Sequence, residues 1–84
     1  MGEAFVPFWR LRRHGVAEEV VRGRALKRRA GERWTMPAAA RERLRGLLED
    51  VGLDASADIV VSESADENGF RLTQPERPIG QNSV

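Results

Sequence analysis

Apolar side chains in the middle of the chain recur at the spacing of one helix face. They stand at i, i+4, i+7, i+8 and i+11, a stripe typical of an amphipathic helix. Pro37 suits the first turn, where no backbone N–H is needed, and Gly52 suits the left-handed residue that ends many helices. We therefore predict a helix over about 37–51, with Thr35 as its cap. The stripe consists of Ala40, Leu44, Leu47, Leu48 and Val51.

Apolar and polar side chains alternate between residues 59 and 73, as in strands with one buried face. The intervening polar stretch, Ala65–Gly69, ends in Asn-Gly, which is a hairpin turn signature. The pattern predicts a C-terminal β-hairpin with strands at about 59–64 and 70–73. One face of the hairpin is expected to pack on the stripe of helix 37–51. That face consists of Ile59, Val61, Phe70 and Leu72.

The first half of the chain has a weaker pattern. Segment 16–30 carries acidic residues at its start and basic residues towards its end, which complements a helix dipole, so we predict a helix there. Gly23 leaves open a kink, and the β-branched residues leave open a strand around Val20–Leu26. Residues 5–13 place arginines among apolar side chains, which predicts an edge strand that joins the hairpin.

Eighty-four residues suffice for one small domain. We expect an α+β fold over residues 1–73, built from an N-terminal edge strand, two helices and the hairpin. Residues 74–84 contain two prolines and no periodicity, which predicts a flexible tail. No apolar run approaches the length needed to cross a bilayer, and the N-terminal arginines follow the apolar residues, unlike in a secretory signal. We expect a cytoplasmic protein.

Charge is segregated along the chain, although the net formal charge is only +1. Residues 1–46 hold twelve basic and five acidic side chains, which gives +7, and residues 47–84 hold two and eight, which gives −6. Thirteen of the fourteen basic residues are arginine, as a high-GC genome favours, and guanidinium groups also suit phosphate or carboxylate binding. Codon usage does not explain the segregation. We expect the basic and acidic surfaces on different sides of the fold.

Two segments interleave arginine with aromatic residues, FWRLRRH at 8–14 and RGRALKRRAGERW at 22–34. Cations displace the counterions of phosphates, and aromatic planes stack on unpaired bases. We therefore predict a non-catalytic binding domain that contacts nucleic acid through its Arg-rich N-terminal half. Trp9 and Trp34 are candidate anchors for a protein partner. The predicted nucleic-acid contacts are Arg10, Arg12, Arg13, Arg22, Arg24, Lys27, Arg28, Arg29 and Arg33.

The alternative hypothesis is a small structural or adaptor subunit of a larger protein assembly. Such a chain would be a phage or virion component, or an antitoxin- or inhibitor-like module that binds an acidic protein surface. A small core and early aromatic residues favour this interpretation, because such chains often complete their core on a partner. DNA, RNA and protein all stay open as partners, and so does a homo-oligomer.

Helices 16–30 and 37–51, with the link GERWT between them, would be helix-turn-helix-like with the hairpin as a wing. The stretch Gly31–Pro37, with the helix that follows it, resembles the wing-to-helix passage of excisionase-type and MerR-type winged helices over about fifteen residues. Only the arginines near the start of helix 37–51, Arg41, Arg43 and Arg45, could contact DNA in such an arrangement, because acidic residues in its second half would repel phosphate. The link is longer than the usual three to four residues, and the upstream helix-turn-helix of those families is not recognisable. The similarity is too short to assign the chain to either family.

Residues suited to catalysis are scarce. Cysteine is absent and His14 is the only histidine, which argues against thiolate or histidine metal sites and against a histidine-based dyad. No glycine pattern matches a phosphate-binding loop, and no serine lies in a nucleophile context. We expect no enzymatic activity, no cofactor and no metal. The remaining acidic side chains are expected to be solvated, and they are Asp50, Asp54, Asp58, Glu63, Asp66 and Glu67.

Overall fold

In the part of the chain that the structure describes, four strands and four short helices build an α+β fold, the class that the sequence predicts. The computed structural model describes residues 2–23, 32–64 and 66–75. The helices within these ranges are all too short to span a membrane. In chain order, the elements are β1 (Gly2–Pro7), α1 (Phe8–Arg13), α2 (Glu18–Arg22), β2 (Arg33–Thr35), α3 (Ala38–Arg43), α4 (Arg45–Asp50), β3 (Val60–Ser64) and β4 (Gly69–Gln74).

The strands form one antiparallel sheet in the order β1-β4-β3-β2. The predicted hairpin is β3 and β4, in which Val61 lies opposite Leu72. Strand β4 runs to Gln74, the first residue of the predicted tail, and residues 76–84 lie outside the described ranges. The hairpin therefore forms the centre of the sheet, and β1 and β2 form its edges.

The segment predicted as one strand over 5–13 is divided at Pro7. Strand β1 ends there and joins the hairpin as an edge strand, with Val6 opposite Phe70. The prediction of a strand was wrong for Phe8–Arg13, which form helix α1. Leu11 is buried, whereas the arginines beside it point outwards. Phe8 and Leu11 are three residues apart and therefore share the inward face of the helix.

The first part of the predicted helix over 16–30 is the short helix α2, Glu18–Arg22. Helix α2 ends at Gly23, whose φ of 70° lies in the left-handed region that glycine adopts without strain. Residues 24–31 lie outside the described ranges, so the second half of this prediction stays a prediction. The next described element is strand β2, which pairs with β3. The sequence predicted a turn between two helices at this position. The described part of the chain thus lacks the simple helix-turn-helix connection.

The predicted helix over 37–51 is present as α3 and α4, which meet at Leu44. Helical hydrogen bonds continue through the junction, because Leu44 N–H donates to Ala40 at 2.9 Å and Leu48 N–H donates to Leu44 at 2.8 Å. The apolar stripe therefore stays on one side. Thr35 is part of β2 and not a cap, and Pro37 precedes the first turn instead.

The helices cover one face of the sheet and leave the other exposed. Alternate strand residues, including Val61 and Phe70, point into the core, whereas Arg33 and Arg71 point away from it. Leu47 and Leu48 are buried in the same cluster as the hairpin face, as the stripe predicts. The buried core residues in the described ranges are Val6, Leu11, Val16, Val21, Trp34, Met36, Ala40, Leu44, Leu47, Leu48, Leu53, Ala55, Ile59, Val61, Phe70 and Leu72.

An ion pair closes one end of this core. Glu63 shares the inward face of β3 with Val61, and its two carboxylate oxygens accept hydrogen bonds of 2.7 and 2.8 Å from the Arg22 guanidinium. The guanidinium carbon lies 5.7 Å from the ring centre of Phe8 and 5.6 Å from that of Phe70. The hydrogen bonds from Arg22 lower the pKa of Glu63 against the opposing effect of burial. The pair thereby ties α2 to the sheet.

Truncation of the apolar stripe should destabilise the domain. We expect Leu47→Ala to lower the free energy of unfolding by about 2–5 kcal/mol, because it removes buried methyl groups and leaves a cavity. Urea unfolding followed by circular dichroism measures the change. Glu49→Ala, at an exposed position in the same helix, is the matched control and should shift stability by about 0.5 kcal/mol or less. Equal stability of Leu47→Ala and the wild type would contradict the packing of the stripe.

Removal of the charge at Glu63 should destabilise the fold in a pH-dependent way. Arg22 lowers the pKa of Glu63, so the pair adds to the free energy of unfolding at pH values above the ordinary glutamate pKa of 4.5. This contribution is lost as pH falls through the lowered pKa. We expect Glu63→Gln to cost about 1–3 kcal/mol at neutral pH and much less at about pH 3. Urea unfolding at both pH values measures this difference.

Glu49→Gln, on an exposed helix face, is the matched control for the loss of one carboxylate. Its stability should follow the wild type at both pH values. A cost of Glu63→Gln that stays constant between the two pH values would show that lost packing, not lost charge, explains the effect.

Candidate nucleic-acid interface

Helix α1 carries three of the predicted contact residues, and two of them are held by carboxylates. Arg10 donates a 2.5 Å hydrogen bond to Asp50, which ties α1 to α4. Arg12 donates two hydrogen bonds to Glu18, at 2.7 and 3.1 Å, across the turn between α1 and α2. A backbone hydrogen bond at Glu18, and then the Arg12 guanidinium, lower the pKa of that carboxyl. Both arginines are thus compensated within the fold.

Arg22 is committed to the pair with Glu63, and its guanidinium also lies against two core rings. Our prediction that Glu63 is solvated was wrong, because its side chain is only 27% exposed. The sequence could have predicted the partial burial of Glu63, because positions 59, 61 and 63 alternate along one strand and alternate strand residues share a face. Arg22 is therefore a structural residue and has little freedom to reach a phosphate.

The expectation of basic and acidic surfaces on different sides was also wrong. Arg10, Arg22 and Arg41 of the first half form ion pairs with acidic residues of the second half. Those acidic partners are Asp50, Glu63 and Asp58. The reason is topological, because the early helices pack on α4 and on the hairpin, which carry the late acidic residues. Charges segregated in sequence are interleaved in space.

The positive excess of the chain lies in one short segment. The described residues contain nine arginines and twelve acidic side chains, and nine minus twelve gives a formal charge of −3. Residues 24–31, RALKRRAG, contain four basic side chains and no acidic one. Residues 76–84 contribute one of each sign. The predicted contacts Arg24, Lys27, Arg28 and Arg29 belong to the segment 24–31, outside the described residues.

Two predicted contacts are exposed and form no ion pair with any described residue. Arg13 lies in the last turn of α1. Arg33 lies on edge strand β2, on the open face of the sheet. One residue separates it from the segment 24–31. These two are the described arginines of the predicted set that are available to an anion.

The two tryptophans have opposite environments. Trp34 is buried on the inward face of β2, where its indole N–H donates to the Val21 carbonyl at 2.9 Å and its ring packs edge-on against Phe70. It belongs to the core and has little surface for a partner. Trp9 is 58% exposed and is the only large apolar side chain exposed among the described residues. The burial of Trp34 agrees with the alternation of a strand, in which its neighbours Arg33 and Thr35 are exposed.

Trp9 shares the outer face of α1 with Arg12 and Arg13, at helical spacings of three and four residues. Phe8, one residue earlier, turns inwards and packs edge-on against Phe70 with ring centres 5.1 Å apart. The backbone N–H of Phe8 donates to the Asn68 carbonyl at 2.8 Å, so the hairpin turn borders the start of α1. The face thus combines an exposed indole ring with guanidinium groups.

Acidic clusters suited to a metal are not found in the ranges 2–23, 32–64 and 66–75. Comparisons of the chain with protein-family models, with curated proteins and with solved structures found no match. The arguments for a function therefore come from the placement of charged and aromatic side chains.

Proposed function

We propose that the protein binds nucleic acid without catalysis, and that its phosphate contacts come mainly from residues 24–31 and Arg33. The observation that carries this proposal is the compensation of three of the five predicted contact arginines that the structure describes. Arg10, Arg12 and Arg22 are held by carboxylates, so the net positive charge of the chain resides in the segment between α2 and β2.

Electrostatics explains why compensation matters. A phosphate that approaches Arg22 must compete with a bidentate carboxylate, and it also meets the repulsion of that carboxylate. The segment 24–31 contains no acidic side chain, and Glu32 is the one acidic residue between it and Arg33. Each cation that neutralises a phosphate releases counterions and adds to affinity at low salt. Four basic residues within six positions, followed by Arg33, therefore suit a polyanion.

The alternative of an adaptor subunit loses one of its arguments. A core that needs a partner would leave several large apolar side chains exposed, but the described residues bury theirs, Trp34 included, apart from Trp9. The exposed indole of Trp9 still favours a partner of some kind, because tryptophan and arginine are enriched in binding hot spots. An acidic protein surface stays the second candidate on that observation.

Neutralisation of the segment 24–31 should weaken binding and its salt dependence together. We expect the triple variant Arg24→Gln, Arg28→Gln, Arg29→Gln to lower the logarithmic salt slope by about two to three units, one for each lost phosphate contact. Fluorescence anisotropy of a labelled oligonucleotide, titrated at several salt concentrations, measures affinity and slope.

The matched control is the double variant Arg10→Gln, Arg12→Gln, which removes two arginines that carboxylates hold. Its slope should change by less than about one unit. A larger loss in this control than in the triple variant would place the phosphate contacts on α1. No retention of the wild type on DNA or RNA at low salt would overturn the proposal.

A further inference from the structure

We propose that Trp9 is a stacking platform for an unpaired base, so that the nucleic acid bound by this protein is single-stranded. This inference rests on the proposed function and names its substrate class. Its starting point is the contrast within α1, where Phe8 is packed into the core and the next residue, Trp9, is 58% exposed. The ring does not complete the core, so its face is accessible to a partner.

Arg22, the last residue of α2, contacts the first turn of α1, the turn that also carries Trp9. The Arg22 guanidinium reaches the ring of Phe8, at 5.7 Å, so the end of α2 lies beside the first turn of α1. The segment 24–31 begins two residues after Arg22.

Charge around the ring is asymmetric, and it gives the strand a direction. Arg13, which forms no ion pair with a described residue, lies four residues after Trp9 in α1, about 6 Å along the helix axis. On the other side of Trp9, the hairpin turn that contains Asp66 and Glu67 borders the start of the helix, because the Phe8 N–H donates to the Asn68 carbonyl. Arg71 and Ser64 donate hydrogen bonds to Glu67, which keeps that carboxylate at the turn. A polyanion is expected to run from Trp9 towards Arg13.

The geometry favours a single strand over a duplex. The bases of a duplex are stacked on each other, so a side chain on the convex surface of a helix has no base face to contact. An unpaired base offers both faces, and stacking on an aromatic ring tolerates every base. Helix α1 has only six residues, too few to present a row of contacts along a groove. One ring with adjacent guanidinium groups matches one base with its adjacent phosphates.

Intrinsic fluorescence tests this inference directly, because the two tryptophans differ in exposure. The probe is an oligothymidylate, titrated into the wild type and into Trp9→Phe at low salt. Stacking of a base should quench the wild-type emission, and Trp9→Phe, which retains only the buried Trp34, should show little quenching. Trp34 emission also reports in each variant that the core is intact.

Affinity provides the second measurement. Trp9→Ala should weaken oligothymidylate binding by about 5- to 150-fold, the range found for loss of one stacked base. Trp9→Phe keeps an aromatic plane and should retain most of the affinity. A DNA hairpin whose bases are all paired except in its closing loop, with the same number of phosphates, should bind the wild type more weakly than oligothymidylate does. It should bind Trp9→Ala about as well as it binds the wild type.

The outcomes separate this inference from the proposed function. If the triple arginine variant loses affinity but Trp9→Ala binds as the wild type does, the stacking site is wrong and phosphate binding stands. Equal affinity for the hairpin and the single strand, without quenching, also overturns the stacking site. If neither nucleic acid binds but polyglutamate quenches Trp9, the partner is an acidic protein surface and both proposals fail.

Discussion

The packing around Phe70 joins the sheet to the helices, and most of the remaining structure depends on it. Phe70 lies on β4, which pairs with strands on both sides, and its side chain is 1% exposed. Phe8 from α1 and Trp34 from β2 both meet its ring edge-on, with ring centres 5.1 and 6.1 Å away. The Arg22 guanidinium from α2 lies 5.6 Å from the ring centre. One side chain thus contacts three elements that all lie more than 30 residues before it in sequence.

Three arginines of the N-terminal half join elements of the fold. Arg10 links α1 to α4, Arg12 links α1 to α2, and Arg22 links α2 to β3. Exposed ion pairs of this kind contribute about 0–1 kcal/mol each, whereas the partly buried pair of Arg22 contributes more, because its hydrogen bonds are bidentate and sheltered. An Arg-rich sequence is therefore no measure of a binding surface by itself. Charge left without a carboxylate neighbour is the better indicator.

The candidate site could be predicted in part from the sequence. The outward position of Trp9 follows from its spacing to Arg12 and Arg13, but only once the segment is known to be a helix. The burial of Trp34 follows from its alternation with Arg33 and Thr35, but only once that segment is known to be a strand. Both segments are short, and a pattern of three to six residues fits a period of 2 and a period of 3.6 almost equally well.

The sequence by itself determined the α+β class, the apolar stripe over 37–51 and the hairpin, because these depend on local periodicity and turn residues repeated over many positions. Tertiary structure alone decided the helix at Phe8–Arg13, the strand β2 and the compensation of the arginines. The physical reason is distance along the chain. Glu63 lies 41 residues from Arg22, and Asp50 lies 40 residues from Arg10, so no local pattern brings these charges together. Only the packing of the helices on the hairpin does.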